Sequence, residues 1–210
     1  MLSYDRLGVV LMEYPTNQVI LRGSLLEMPV FSHESQGQKF YKLFLRVPRL
    51  SGTVDTLPVI LRERLYREAD LTGGESITVS GSIRSHNLHT PQGRRLLIFL
   101  FADTLLAEDG PALNEVTLCG NLCREPNYRR TPLGREICDV MLAVPRPSRK
   151  ADYLPCILWG SMAQKGAQCH VGEKLWLQGR LQSRIYTKLT PEGAQERTAY
   201  EISALTAETE

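Results

Sequence analysis

The stretch Asn17-Gln-Val-Ile-Leu-Arg-Gly-Ser-Leu25 returns in pattern 97 residues later as Asn114-Glu-Val-Thr-Leu-Cys-Gly-Asn-Leu122. Val116, Leu118 and Gly120 alternate with Glu115, Thr117 and Cys119, the period of a strand with one face toward a core. Gly120 reads as a break in that strand, at a bulge or barrel bend. The offset then persists. Pro29, Gly37, Val47-Pro48-Arg49, Asp55 and Leu57-Pro58 are matched 97 residues on by Pro126, Gly134, Val144-Pro145-Arg146, Asp152 and Leu154-Pro155. Gly74-Glu75 and Gly81 are matched at 98 by Gly172-Glu173 and Gly179, and Thr90-Pro91 and Gly93 at 100 by Thr190-Pro191 and Gly193. Offsets that grow in small steps are loop-length changes between two copies of one fold, and a unit this long is a domain rather than a solenoid turn.

The chain therefore divides into a first domain over 1–106, with residues 1–16 as a lead-in, a linker over 107–113, and a second domain over 114–206. In the first, strands are predicted near 17–25, 38–47 and 56–62, a helix near 62–70, and strands near 75–84 and 95–102. In the second they fall near 114–122, 135–144 and 153–159, with a helix near 161–169, then strands near 173–184 and 197–205. Pro91-Gln-Gly93 and Pro191-Glu-Gly193 mark hairpin tips. Five short strands with one helix between the third and fourth is the OB-fold pattern. The fold class is all-β: two tandem OB-fold five-stranded barrels, whose faces and long hairpins suit oligonucleotides or oligosaccharides.

Composition narrows the function. No apolar run approaches the ~20 residues a membrane span needs, and residues 1–6 carry no basic segment leading into an apolar core, so neither a membrane nor a signal peptide is expected. The five cysteines, Cys119, Cys123, Cys138, Cys156 and Cys169, are odd in number and confined to the second half, which points to a reducing cytoplasm rather than a disulfide framework. Cys119-x-x-x-Cys123 lacks a second ligand pair, and no phosphate-binding loop, G-x-S-x-G or H-E-x-x-H occurs, so no metal, cofactor or catalysis is expected. Residues 114–206 hold 13 Lys/Arg against 9 Asp/Glu, and residues 1–106 hold 12 against 10, making the second half the better polyanion binder.

The second repeat resembles the bacterial single-stranded DNA-binding protein family. The residues are Asn114-x-Val-x-Leu-x-Gly-Asn-Leu122, Arg124-Glu-Pro126, Arg129, Thr131-Pro-x-Gly134, Leu142-Ala-Val144, Cys156-Ile-Leu-Trp-Gly160 and Gly172-Glu-Lys-Leu-Trp-Leu-Gln-Gly-Arg-Leu-Gln-Ser-Arg184. The first repeat resembles the same domain more distantly, and the whole chain looks like the branch with two OB domains per chain. The resemblance implies a cytoplasmic, nucleoid-associated bacterial protein that binds single-stranded DNA without sequence preference in replication, repair and recombination. It implies a homodimer giving four OB domains, and replication or repair proteins as partners. Family members usually end in an acidic, aromatic-tipped tail. This chain ends at Leu205-Thr-Ala-Glu-Thr-Glu210, so recruitment by that route is not expected. The alternative is a primosome-type or accessory OB protein acting mainly as a protein-interaction scaffold.

Non-specific binding of single strands takes flat aromatic faces for bases and cations for phosphates. By resemblance, Tyr153, Trp159 and Tyr186 stand where the family places stacking aromatics. Tyr153, Ile157 and Trp159 share a parity, which leaves open a core tryptophan at 159 and ordinary tyrosines at 153 and 186. Trp176 reads as a subunit contact, a DNA contact or an isolated exposed ring. The candidate phosphate contacts of the second repeat are Arg129, Arg130, Arg135, Arg146, Arg149, Lys150, Arg180, Arg184 and Lys188. In the first repeat Thr56, Arg62 and Leu88 occupy the places of Tyr153, Trp159 and Tyr186, leaving Arg62, Arg84, Arg94 and Arg95 for phosphates. Phe31 and Tyr41 read as core. The first repeat is thus expected to be mainly an assembly domain, and the first strands, at 18–21 and 115–118, to extend sheets between domains.

Overall fold

The alternation of the opening strand works because successive side chains in extended backbone point to opposite faces. In the computed structural model, which describes residues 3–4, 10–11, 16–90, 93–148, 150–190 and 193–209, Val19, Leu21 and Leu25 are buried while Gln18 and Ser24 are exposed. A lead-in pair, β1 (Ser3–Tyr4) and β2 (Val10–Leu11), forms its own two-stranded ladder. The first barrel comprises β3 (Asn17–Leu25), β4 (Val30–Ser35), β5 (Gln38–Pro48), β6 (Val54–Arg62), α1 (Glu63–Glu68), β7 (Ser76–Thr90) and β8 (Gly93–Ala107). The second comprises β9 (Leu113–Leu122), β10 (Asn127–Arg130), β11 (Glu136–Pro145), β12 (Ala151–Trp159), α2 (Ser161–Gly166), β13 (Lys174–Thr190) and β14 (Gly193–Thr209).

Each repeat closes on itself. β3 pairs with β5 and β7, β5 with β6, β6 in parallel with β8, and β8 with β7. β9, β11, β12, β14 and β13 repeat the cycle. Both are OB-type barrels with the helix between the third and fourth barrel strands. The two differ from expectation in three ways. Short strands β4 and β10 flank β5 and β11, with every residue exposed. They bury nothing, so no apolar periodicity announces them.

The last hairpins are also longer than their apolar pattern. β7 and β8 run 15 residues each and β13 and β14 17 each, paired out to Thr90↔Gly93 and Thr190↔Gly193. At ~3.3 Å per residue these arms measure roughly 50 Å. Toward its tip, at 86–89 and 93–95, the first hairpin is exposed, and the ladder there rests on backbone hydrogen bonds and cross-strand pairs. The tip residues 91–92 and 191–192 lie outside the described residues. Finally, Gly120 does not break its strand. β9 continues to Leu122, and Gly120 lies where a Cβ would stand 2.7 Å from the Ala143 carbonyl oxygen of β11, so the glycine permits barrel closure.

The barrels are joined strand to strand. β3 and β9 pair antiparallel from Asn17↔Leu118 to Arg22↔Leu113, with Val19 opposite Val116, and so merge both barrels into one 12-stranded sheet. The conserved spacing of the repeat motif's first residue has a local cause. The Asn17 amide donates to the Ile83 carbonyl and accepts from the Ile83 N–H, both at 2.8 Å. Asn114 does the same with Leu181 at 2.7 and 2.9 Å. In each barrel a side-chain amide stands in for a peptide unit beside the fourth strand.

Two buried carboxylates brace the junction. Asp55, with no exposed surface, accepts from Arg49 Nε and Nη2 at 2.7 and 2.6 Å and from the backbone N–H and hydroxyl of Ser183 in the other barrel at 2.7 and 2.8 Å. Arg49 also donates to the Ser183 carbonyl at 2.8 Å. Its counterpart Asp152, equally buried, accepts from Arg146, from Arg84 at 3.2 Å and from the Ser85 N–H at 2.5 Å, while Arg146 donates to the Ser85 carbonyl. Burial pushes the Asp55 carboxyl up, but the hydrogen bonds from Arg49 and Ser183 outweigh it and hold the group below the usual carboxylate range.

Candidate nucleic-acid interface

The alternation left open by parity is settled by β12. Asp152, Leu154, Cys156 and Leu158 face the core, and Tyr153, Pro155, Ile157 and Trp159 face outward. Trp159 is half-buried at the end of the strand, its indole N–H donating to the Ser203 hydroxyl at 3.0 Å. That bond tethers one edge of the ring, and the side chain stays partly exposed. Across the sheet it aligns with Ile137 of β11 and then Arg129 of β10. Tyr153 is 45% exposed and borders a shallow pocket with Asn121, Arg146 and Lys150. Tyr186 lies out on the β13–β14 hairpin with the Arg184 guanidinium 5.5 Å from its ring centre, a cation–π contact that keeps a positive charge beside the aromatic face. Trp176 is elsewhere. Its ladder partners are Cys119 and Glu208, on the outward face of the strands joining the barrels.

The predicted cations fall into three groups. Arg135, Lys150, Arg94 and Arg95 are exposed. Lys188 is half-buried against the groove between the hairpins. Arg180 pairs across the ladder with Ser203, the residue that holds Trp159, and its Nε has no hydrogen-bond partner among the described residues. A second group is exposed but already partnered: Arg129 with Asp139 at 2.6 Å, Arg130 with Glu136 at 3.2 Å, Arg184 with Glu201 at 3.3 Å and Arg62 with Asp103 at 4.0 Å. The pairs of Arg129, Arg130 and Arg62 are weak surface pairs, in which a phosphate competes with the carboxylate at little cost, whereas the Glu201 carboxylate that holds Arg184 is buried. The third group is Arg84 and Arg146, whose guanidinium groups are both tied to the fully buried Asp152 carboxylate. They hold the barrels together. Arg149 lies outside the described residues.

Two assignments in the first barrel change. Phe31, read as core, is 57% exposed and stands edge-on to Tyr41, which packs in turn on Tyr66. The loss of aromatics at Thr56, Arg62 and Leu88 does not leave that face bare, because Phe40 and Phe44 of β5 and Phe99 and Phe101 of β8 line it. Their signal in the sequence is a period of two, Phe40-x-Lys42-x-Phe44 and Phe99-x-Phe101, at positions other than those of the second repeat's aromatics. Burial pushes the Cys138 thiol up to about 11 and raises that of Cys156 further, so neither offers a thiolate for metal or redox chemistry.

Residues 113–209 match the family model described as the single-strand binding protein family. The chain is similar to the single-stranded DNA-binding protein of Deinococcus radiodurans, 24% identical over 206 residues that cover 81% of this chain and 68% of that protein. It is similar to single-stranded DNA-binding protein B of Bacillus subtilis, 36% identical over 80 residues, covering 35% of this chain and 71% of that protein. The crystal structure of the wild-type single-stranded DNA-binding protein from Thermus aquaticus superimposes with a TM-score of 0.75 at 25% identity, covering 92% of both chains. The chain spans about half the length of other curated relatives it matches.

Proposed function

The chain belongs to the single-strand binding protein family, and from that premise we propose that it binds single-stranded DNA without sequence preference, in replication, repair and recombination, with the second barrel as its principal platform. The observation that supports this reading is the outward face of β12 and its adjoining hairpin, where Tyr153, Trp159 and Tyr186 lie among Lys150, Arg180, Arg184 and Lys188. Bases stack on the rings, each contributing about 1–3 kcal/mol, and every base has a π-face, so the contact tolerates any sequence. The cations neutralise phosphates and release counterions. The action is binding alone, with no chemical step. Its ligand places its work in the cytoplasm, at the nucleoid. Among the described residues no helix is long and apolar enough to cross a membrane.

Tight binding to poly(dT), weak binding to duplex, and a steep loss of affinity with salt are the expected results of a titration. For single strands the logarithm of the binding constant falls by about 0.7 per phosphate neutralised for each decade of salt. Equal affinity for duplex would count against the reading.

Two chains make the working unit in this proposal. The ladder β13-β9-β3-β7 presents Trp176, Ile20 and, on the neighbouring β8, the 60% exposed Leu106 on its outward face, a surface suited to an isologous contact. Sedimentation at micromolar concentration is expected to give twice the mass of the chain, and a monomer there would remove the basis for a four-barrel assembly.

A further inference from the structure

A buried acid on the outward face of the second barrel is at odds with a surface that attracts a polyanion. Glu201 of β14 is 6% exposed. By the ladders it shares with β12 and β13 it lies on the same side of the sheet as Trp159 and Arg180. Burying a carboxylate costs free energy, and in this place the charge also repels phosphate.

Both of its oxygens are engaged. Oε1 accepts from the side-chain amide of Gln182, directly across the ladder, at 3.0 Å, and Oε2 accepts from Arg184 Nε at 3.3 Å. Gln182 is itself buried, so the carboxylate is fixed from one side and holds the arginine on the other. The Arg184 side chain is 54% exposed. An arginine that open to water has many rotamers to choose from, yet here its guanidinium is kept 5.5 Å from the Tyr186 ring centre. Glu201 takes Nε alone. Among the described residues no carboxylate takes the two terminal nitrogens of Arg184, and that pair belongs to the fork with which an arginine grips a phosphate. Ser203, two residues further along β14 and on the same face, accepts from the Trp159 indole in the same manner. The outward residues of the last strand thus each anchor one part of the stacking platform.

The first barrel lacks the whole arrangement. The aligned ladders Gly81↔Ala102 and Gly179↔Ala204 put Phe99 in the place of Glu201, Arg84 in that of Gln182, His86 in that of Arg184 and Leu88 in that of Tyr186. The acid is present where a tyrosine and its arginine are present, and absent where they are absent.

We propose that Glu201 is a positioning residue for single-strand binding. It touches no DNA, and it holds Arg184 beside Tyr186 so that the phosphate of a base stacked on that ring meets an arginine already in place. This rests on the reading of the protein as a single-strand binder and deepens it. The gain is that the arginine is ordered before the strand arrives rather than during binding. The opposing cost is a negative charge near the strand.

The sign of one substitution distinguishes position from charge. Glu201→Gln keeps the shape and an acceptor for Gln182 but removes the charge. A carboxylate acting only through its charge would, once removed, leave a polyanion bound more tightly. The expected result is the opposite. Affinity for a labelled dT oligonucleotide, read by anisotropy, falls about two- to twelvefold, the cost of ordering one long side chain on binding. The salt slope stays that of the natural chain, because Arg184 still neutralises its phosphate once ordered. Arg184→Ala instead lowers the slope by about 0.7, and in that background Glu201→Gln is expected to cost nothing further. Glu201→Asp keeps the charge and draws it back by one methylene. It is expected to weaken binding in the same direction, and it carries the test should the glutamine variant fail to fold. Melting transitions show which variants are folded. Unchanged or tighter binding by these folded variants, or an equal loss with and without Arg184, would overturn the positioning role. Failure of the unsubstituted chain to bind any oligonucleotide would instead remove the single-strand reading on which it rests.

Discussion

Trp159→Ala is expected to weaken binding to poly(dT) about ten- to a hundredfold, the equivalent of about 1–3 kcal/mol for one lost stacking surface. The ring is half-buried, and its N–H holds the Ser203 hydroxyl at 3.0 Å. Removing it therefore leaves Ser203 without this donor and opens a cavity at the end of β12, so part of any effect is structural. Two comparisons separate the contributions. The melting transition of the variant reports the structural part. Trp159→Phe keeps a stacking face but loses the indole N–H, and it should retain most of the affinity while losing stability. Arg62 occupies the same place in the first barrel, over the Phe101 ring, and Arg62→Ala is expected to lower the salt slope by about one unit or less. Equal losses from Trp159→Ala and Arg62→Ala, in folded proteins, would mean that this pair of positions does the same work in both barrels.

The largest effect on stability is expected at Asp55. Asp55→Ala leaves Arg49, whose side chain is only 18% exposed, facing Ser183 without a counter-charge. Breaking one side of a buried pair typically costs about 3–5 kcal/mol, which for a chain of this size is a fall in Tm of roughly 10 °C. A calorimetric loss below about 1 kcal/mol would show that the brace contributes little. The pH dependence carries an independent check. The folded carboxyl titrates below its unfolded value, so its contribution is fully present above the unfolded pKa of about 3.9 and is lost as pH falls through the lower folded value. Stability of the natural chain should therefore drop with acid below about pH 4, and Asp55→Asn should show a shallower drop over the same range.

Much of the barrel architecture was legible because it is written locally. Val19, Leu21 and Leu25 alternate at period two, and the offset of 97 to 100 residues carries that pattern into the second copy. What escaped detection lacks a local signature. β4 and β10 bury nothing. The Asp55–Ser183 and Asp152–Ser85 contacts join residues 128 and 67 positions apart, so nothing near Arg49 or Arg146 in the sequence shows that their carboxylate partners also hold the other barrel. The face of Trp159 could not be assigned by parity, because β12 is apolar on both sides, and only its neighbours in the folded sheet decide it. The phenylalanines of β5 and β8 alternate at period two, but they stand on other strands of the barrel than the second repeat's aromatics, so the 97-residue offset does not lead to them.

The pairing of β3 with β9 also has a consequence for how the chain is made. During synthesis the first barrel is complete at Ala107, while β9, the neighbour of the 17–22 edge of β3, is complete only at Leu122, 15 residues later. At ~5–20 residues per second that interval lasts roughly 1 to 3 s. For its duration the nascent chain exposes an open strand edge whose complement is the β9 of any sister chain growing nearby on the same messenger. Exchanged dimers, in which each β3 is completed by the other molecule, compete with the intended product at high local concentration. Their share should rise with protein concentration when denatured chains are refolded and vanish on dilute refolding. A share independent of concentration would mean that β3 finds its own β9 before any encounter with another chain.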